Sequence, residues 1–451
     1  MTPDNQIDGI RAVIDGGYCI GCGACTAVIP EAKIAFNRFG DLQAILPTAT
    51  SPGDLAAGSA VCPFTSGSNE TEIALRHFKD SSIRRDAEVG SFLGLYAAFS
   101  KNNRSDGSSG GLATWLLTEL LNQGAIDYAI NVRPSFDRSD GRAFSYQVTA
   151  SPDQIRAGST SFYYPVSMDE VLAIIRARPG RYAVTGVPCF HKALRRLRCH
   201  DSLIDERIKY QIGLVCGQLK SAHYLEYLTA LAGGDGQIQS ACFRRKIPDA
   251  KADEYAFEAT VRHANGTMHT VQVPNSRIGI NWGMGYFKPL ACDFCDDVLA
   301  ETADIAVMDA WLPGYVSDSK GWSLVVSRTR DMEGLLQFGG ESGALTLEAV
   351  APDVVADSQR GGLNHRRTAL PYRLQMKGRE WHPTKRALAS DKFPILLRIE
   401  QRLRAYLRSH SRTAWHDSRQ FGGIKEFQRR MKLGEFFYRL LSKLKRTLQA
   451  R

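Results

Sequence analysis

Three cysteines recur at every third position in Tyr18-Cys-Ile-Gly-Cys-Gly-Ala-Cys25, and a fourth, Cys62, stands farther along with Pro63 directly behind it. Thiolates at that spacing suit an iron–sulfur cubane, whose iron corners lie a few ångströms apart, so that one tight loop can ligate three of them. Gly21 and Gly23 let the backbone wrap closely and aim amide N–H groups at the sulfides. The fourth corner needs a remote cysteine, which Cys62 supplies; a contiguous ferredoxin run would have had its own where Ile29-Pro30 stands. A structural zinc knuckle is the alternative, and it fits less well because zinc sites prefer paired C-x2-C elements to a triple. The spacing predicts one 4Fe-4S cluster on Cys19, Cys22, Cys25 and Cys62.

A second thiol set makes sense only through the elements that carry it. Arg181–Val187 and Lys209–Val215 read as buried strands, each followed by a cysteine, Cys189 or Cys216, and then by a helix, His191–Leu197 or about Ser221–Leu231. In open α/β sheets the carboxyl edge of the strands is where ligands collect. Cys292 and Cys295 add a C-x2-C pair just before another strand-like run, Ala303–Met308. Together the four predict a second cluster. Without the C-x2-C pair, Cys189 and Cys216 would read as ordinary buried cysteines. Cys199 and Cys242 have no such company and read as structural. Between these parts, Ala256–Arg262 and Met268–Val273 face each other across the Asn265-Gly266 turn as an antiparallel insertion.

Ser105-Asp-Gly-Ser-Ser-Gly-Gly111 is a polar glycine-rich turn between a strand, Leu93–Ser100, and an apolar helix, Leu112–Leu121. Small residues at a helix N-terminus offer free backbone N–H groups and a favourable dipole to a phosphate. A flexible loop would look the same, and the run is neither a dinucleotide fingerprint nor a Walker loop.

Across 451 residues the chain has room for two or three domains and a sizeable apolar core. Met1–Gly17 carries acidic residues and no apolar leader core, and no apolar run is long enough to cross a bilayer, so a cytoplasmic protein with reduced thiols is expected. The net charge of +10 has a location: from Asp391 to Arg451 there are 16 Lys and Arg against 5 Asp and Glu, a net of +11, which leaves the rest at −1. Phe393–Leu407 and Phe427–Leu448 carry apolar residues at helical spacing among these charges. Such helices suit an anionic membrane surface, an acidic partner such as a ferredoxin, or simple packing on the body. No nucleic-acid-binding module accompanies the charge. Gln359–Asn364 and the polar stretch to Lys385 read as linker or irregular loop.

Taken in order, Cys19-Ile-Gly-Cys-Gly-Ala-Cys25, Cys62-Pro63, Gly107-Ser-Ser-Gly-Gly111, Gly186-Val-Pro-Cys189, Gly213-Leu-Val-Cys216, Phe243-Arg-Arg-Lys246, Cys292-Asp-Phe-Cys295 and Ala303–Trp311 resemble the family of coenzyme F-420 (deazaflavin) hydrogenase and dehydrogenase beta subunits. That superfamily also holds the 7-hydroxymethyl chlorophyll a reductase-like iron–sulfur flavoproteins. The resemblance runs from about Tyr18 to Thr329. It implies a mixed α/β catalytic domain with a small ferredoxin-like piece, a bound FAD, and electron passage between clusters, flavin and a partner or substrate. Ser108, Ser109, Gly110 and Gly111 would hold flavin phosphates, and Arg104, Thr114, Ser161 and Tyr163 match the neighbourhood of that site. One departure falls after Pro188-Cys189, where Phe190-His191 replaces an expected Gln-like polar residue.

The expected architecture is thus an α/β (mixed sheet) catalytic domain with an N-terminal ferredoxin-like 4Fe-4S subdomain and a basic helical C-terminal tail. Its boundaries are 1–85 for the iron–sulfur region, 86–335 for the flavin-binding domain with the second cluster, 336–390 for an irregular or linker region, and 391–451 for the tail. Such a chain would pass electrons from ferredoxin or a reduced deazaflavin through clusters and FAD to a small organic substrate. His191, Lys246 and Asp309 are proton donors of the right type beside the motifs; the plainer readings are a helix N-terminal residue, a surface or phosphate contact, and a strand-end hydrogen-bonder. Two alternatives stay open: an electron-transfer subunit of a larger complex, and a non-redox zinc-binding interaction protein. Assembly into a homo-oligomer is compatible with either redox reading.

Overall fold

A computed structural model describes residues 9–278 and 280–449. The first eight residues, part of the Met1–Gly17 stretch read for a leader, lie outside the described residues, as do the last two of the tail.

An eight-stranded sheet forms the centre, in the order Leu345–Ala349, Gly94–Ser100, Ser323–Ser327, Ile305–Asp309, Ile208–Leu214, Tyr182–Gly186, Tyr128–Pro134, Phe144–Thr149. Four neighbours, from Ile305–Asp309 to Tyr128–Pro134, run parallel, and the flanking pairs are antiparallel, so the sheet is mixed. Strands covered on both faces need apolar residues at every position. Tyr182–Gly186 and Ser323–Ser327 are accordingly buried throughout. On one face the helices Leu112–Asn122 and Arg330–Glu341 bury Leu116, Leu117 and Leu336 against Ala183, Ile212 and Val325.

The other face is covered partly by the chain's beginning. Residues expected as a ferredoxin-like piece form a short hairpin, Lys33–Phe36 with Leu42–Ile45, and the helices Pro52–Val61 and Glu70–His77. Among the described residues they have no core of their own. Ile10, Val13, Tyr18 and Phe64 share one cluster with Val184, Leu194 and, far along the chain, Leu370 and Leu374. Tyr18 also donates its hydroxyl to the Trp381 carbonyl at 3.3 Å.

The antiparallel insertion has a third strand beyond the two expected, Gln237–Lys246, which pairs with Tyr255–Arg262. Its hairpin loop spans His263–Thr267, closed by His263 N–H on the Thr267 carbonyl, with Gly266 at φ 83°. This sheet packs on the helix His223–Leu231, which in turn meets two long C-terminal helices, Ile395–Ser418 and Gly423–Gln449. The stretch 336–390, expected as irregular or linker, supplies the edge strand Leu345–Ala349, several short helices and a π-helical turn at Asn364–Thr368. Gln359–Asn364, read as linker or irregular loop, holds one of those short helices, Arg360–Leu363.

Candidate functional site

Gly21 and Gly23 both take left-handed φ, 63° and 86°, and a Cβ on Gly21 would sit 2.5 Å from Leu42. The cysteine loop therefore lies flat on the N-terminal hairpin. Cys25 follows on a short 3-10 turn, and Cys62 caps the helix Pro52–Val61. Cys19, Cys22, Cys25 and Cys62 line one cavity of ≈ 350 Å³, walled by Ile10, Ile34 and Phe64. The Ala44 amide donates to Cys19 Sγ at 3.3 Å. Burial, then the neighbouring thiols, push the Cys22 and Cys25 thiols up, and burial pushes Cys62 up to about 11.

The second set comes together from three separate places. Cys189 lies in the first turn of the helix Pro188–His200, Cys216 follows the strand Ile208–Leu214, and Cys292 and Cys295 sit in and just after a 3-10 turn. All four line a cavity of ≈ 270 Å³ with Ile20, Phe64 and Arg366. Ile20 and Phe64 line the first cavity too, so the two share a wall. The Leu219 amide donates to Cys292 Sγ at 3.3 Å. Arg366, fully buried on the π-helical turn, donates to Cys295 Sγ at 3.0 Å and Cys216 Sγ at 3.7 Å. Burial raises the Cys189 and Cys295 thiols and pushes Cys292 up to about 12, while the Arg366 charge works the other way at Cys292 and Cys295. Among the described residues no three His, Cys, Asp or Glu are placed to hold a single metal ion. The thiols stand around the two cavities instead. Cys199, exposed, and Cys242, half-buried, line neither.

The glycine loop leaves Gly94–Ser100 at the same carboxyl edge and enters the helix Leu112–Asn122 through Gly111, at φ 77°. A Cβ on Gly110 would meet the Ala98 carbonyl at 2.7 Å, so the loop presses on the sheet. Ser109 donates to the Trp322 carbonyl at 2.6 Å, and Ser108 Oγ accepts from the Ser161 amide at 2.7 Å. Arg104 lies 3.8 Å from the Phe99 ring centre and donates to Asp318 and the Gly321 carbonyl. Thr114 is buried in the helix's first turn. Tyr163 meets Trp282 edge-on at 4.9 Å, and a Cβ on Gly217, beside Cys216, would touch that same indole at 3.2 Å. Trp282 thus connects the second cavity to the loop's neighbourhood.

Lys246 and Asp309 are drawn to this loop, and His191 is not. Lys246 donates to the Ser109 and Lys320 carbonyls at 3.2 and 2.6 Å and to that of Arg104; burial, then Arg104 and Arg244, push its ammonium down to about 8. Asp309 receives both arms of Arg244 at 2.8 and 2.9 Å, and Arg244 also donates to the Ser108 carbonyl at 3.0 Å. His191 is fully buried, with Nε2 2.9 Å from the Ile212 carbonyl and Nδ1 3.0 Å from Gln211. Burial pushes it down to about 4, so it is a neutral core histidine with both nitrogens engaged. Sequence reasoning missed Arg366, which gave no signal in a polar stretch, and Arg244, which lay unremarked inside the Phe243–Lys246 run.

A mixed α/β sheet with thiols gathered at its carboxyl edge defines the class of protein, and comparison with known families gives the member. Residues 95–173 match the N-terminal model, and 180–353 the C-terminal model, of the coenzyme F420 hydrogenase/dehydrogenase beta subunit. The chain belongs to that family, whose work is redox electron transfer. The loop and the second cysteine set fall inside the matched spans; the first set, Arg366 and the tail fall outside them. Among relatives, a subunit of the F(420)H(2) dehydrogenase of Methanosarcina mazei is 25% identical over 339 residues, 71% of this chain and 82% of that one. The coenzyme F420 hydrogenase subunit beta of Methanothermobacter thermautotrophicus is 20% identical over 53% of this chain and 78% of its own. The coenzyme F420-dependent sulfite reductase of Methanocaldococcus jannaschii is 22% identical over 72% of this chain and 46% of its own. A chain of the F420-reducing [NiFe] hydrogenase complex of Methanosarcina barkeri superposes with a TM-score of 0.49 at 16% identity, covering 67% of this chain and 99% of that one. Among the described residues no helix is long and apolar enough to cross a membrane.

Proposed function

We propose that the chain is an iron–sulfur flavoprotein oxidoreductase that takes electrons from ferredoxin or a reduced deazaflavin and delivers them to a small organic substrate. The observation that carries this reading is the pair of four-cysteine cavities with a common wall. A cubane needs thiols spread around a volume, whereas a single zinc draws its ligands to one point. The donor chemistry fits: the Ala44 and Leu219 amides and the Arg366 guanidinium all point at sulfur and favour thiolate. Cys19, Cys22, Cys25 and Cys62 would hold one 4Fe-4S cluster, and Cys189, Cys216, Cys292 and Cys295 a second.

Arg104, Ser108, Ser109, Gly110, Gly111, Thr114, Ser161 and Tyr163 would hold FAD. Two observations support an anionic ligand there: the helix Leu112–Asn122 has no side-chain cap, and the buried Nε of Arg104 and of Arg244 have no hydrogen-bond partner. Clusters with a flavin supply single-electron delivery and two-electron reduction at one site. The chain's own residues do the rest. Asp309 orients Arg244 on the loop, and Tyr163 with Trp282 sets ring carbon between loop and second cavity. Lys246 ties the loop together, its ammonium donating to the Arg104, Ser109 and Lys320 carbonyls. His191 has no free nitrogen to offer.

Anaerobic purification followed by iron, sulfide, zinc and flavin analysis tests the reading: about eight iron and one FAD per chain are expected. Stoichiometric zinc without flavin would overturn it. One observation favours the electron-transfer subunit as a second reading, since two of the relatives are themselves named as subunits. A pure chain that reduces carriers but no organic substrate would decide for it.

A further inference from the structure

The helix Gly423–Gln449 is apolar on two faces, and the body uses only one. Phe427, Met431, Gly434, Tyr438 and Leu441 repeat at intervals of three and four and are buried. They close the hairpin with Ile395–Ser418, so tightly at Gly434 that a Cβ there would sit 2.6 Å from Leu407. That face is accounted for.

A second stripe, Leu433, Phe436, Phe437, Leu440, Leu444 and Leu448, also repeats at helical spacing and stands in solvent, each side chain between 46% and 67% exposed. At 3.6 residues per turn these six cover about a third of the circumference. Solitary exposed apolar residues need no explanation, but a continuous stripe with two phenylalanines does. Along one edge run Lys432, Arg439 and Lys443, and beyond Glu435 the chain has no acidic residue. Among the described residues Lys432 and Lys443 have no carboxylate partner; Arg439 reaches Glu435 only at 3.8 Å.

We infer that this face is a docking surface for an anionic lipid bilayer, on which the helix lies in the plane of the headgroups. The stripe would enter the acyl boundary while the lysine and arginine edge meets lipid phosphates, the arrangement of interfacial amphipathic helices. The helix lies on the bilayer and does not span it, since it is not apolar enough to cross. A second copy of the chain is a poorer occupant, because a symmetric dimer presents the same patch from both sides and this patch offers no carboxylate to the basic edge. The inference stands apart from the cofactor reading.

The test is co-sedimentation of the full chain with vesicles of phosphatidylcholine alone and of phosphatidylcholine with about one phosphatidylglycerol in four, at low and physiological salt. The protein should pellet with the anionic vesicles and much less with the neutral ones. The exposed pair F436S/L440S should reduce binding to both. K432E/K443E should reduce binding to the anionic vesicles by roughly five- to tenfold per charge reversed, and both variants should keep the parent's circular dichroism and melting temperature because the sites are solvent-facing. Failure to pellet with either vesicle would overturn the inference. So would binding that neither variant weakens, or a dimer in solution that F436S/L440S dissociates and that ignores lipid.

Discussion

The two cysteine cavities share a wall and a donor set, and they differ in charge. Around the first, among the described residues, no cation donates to a sulfur, and Arg196 gives its hydrogen bond to the Cys62 carbonyl. In the second, Arg366 points its guanidinium at two of the four thiols. Chain geometry also separates them, since three thiols of the first lie on one loop, whereas those of the second come from three places. The lesson is that identical ligands need not give identical chemistry. A buried positive charge at the thiolates favours the more reduced, more negative state, so the second site should accept electrons more readily than the first.

The largest effect tests whether there are two sites at all. Cys292→Ser with Cys295→Ser should remove about half of the bound iron, and Cys22→Ser with Cys25→Ser the other half, measured by iron and sulfide analysis; unchanged iron in either pair would remove that site from the comparison. Phe64→Ala, which opens the common wall, should destabilise the fold by about 3–5 kcal/mol in chemical denaturation and disturb both sites together. Gly21→Ala acts on one side only: with φ at 63° and Leu42 2.5 Å from the added carbon, it should lower iron at the first site and leave the second intact. Arg366→Met should keep the iron and move the second site's midpoint potential downward by on the order of 60 mV, the equivalent of a tenfold one-electron equilibrium shift. Redox titration followed by electron paramagnetic resonance reads it, and an equal shift at both sites would erase the distinction drawn from charge. Smallest of all, Cys199→Ser should change neither iron content nor potential, because that thiol is exposed and lines no cavity.

How much of this was legible follows from the range over which each feature is encoded. The strands Tyr182–Gly186 and Ile208–Leu214 were readable because burial on both faces leaves a continuous apolar run with a cysteine just beyond its end. The next strand was not, since Tyr128–Pro134 interleaves Asn131 and Arg133 with apolar residues, and nothing local says that it pairs parallel with Tyr182–Gly186 on one side and antiparallel with Phe144–Thr149 on the other. All eight thiols that line the cavities stand in short motifs. Arg366 has no motif: it reaches sulfur only because a π-helical turn in a polar stretch packs against residues 71 and 150 positions away. His191 shows the opposite failure, a reactive residue type beside a motif whose neighbours, Gln211 and Ile212, turn it into core.

The bond from Tyr18 to Trp381 joins residues 363 positions apart. At about 5–20 residues per second, a ribosome makes the second roughly twenty to seventy seconds after the first. The first cysteine loop is thus made well before the core that encloses it is complete, since that core takes in Leu370 and Leu374. During that interval its thiols stand open to whatever delivers metal or oxidant, and the helix Leu370–Lys377 closes the door behind them.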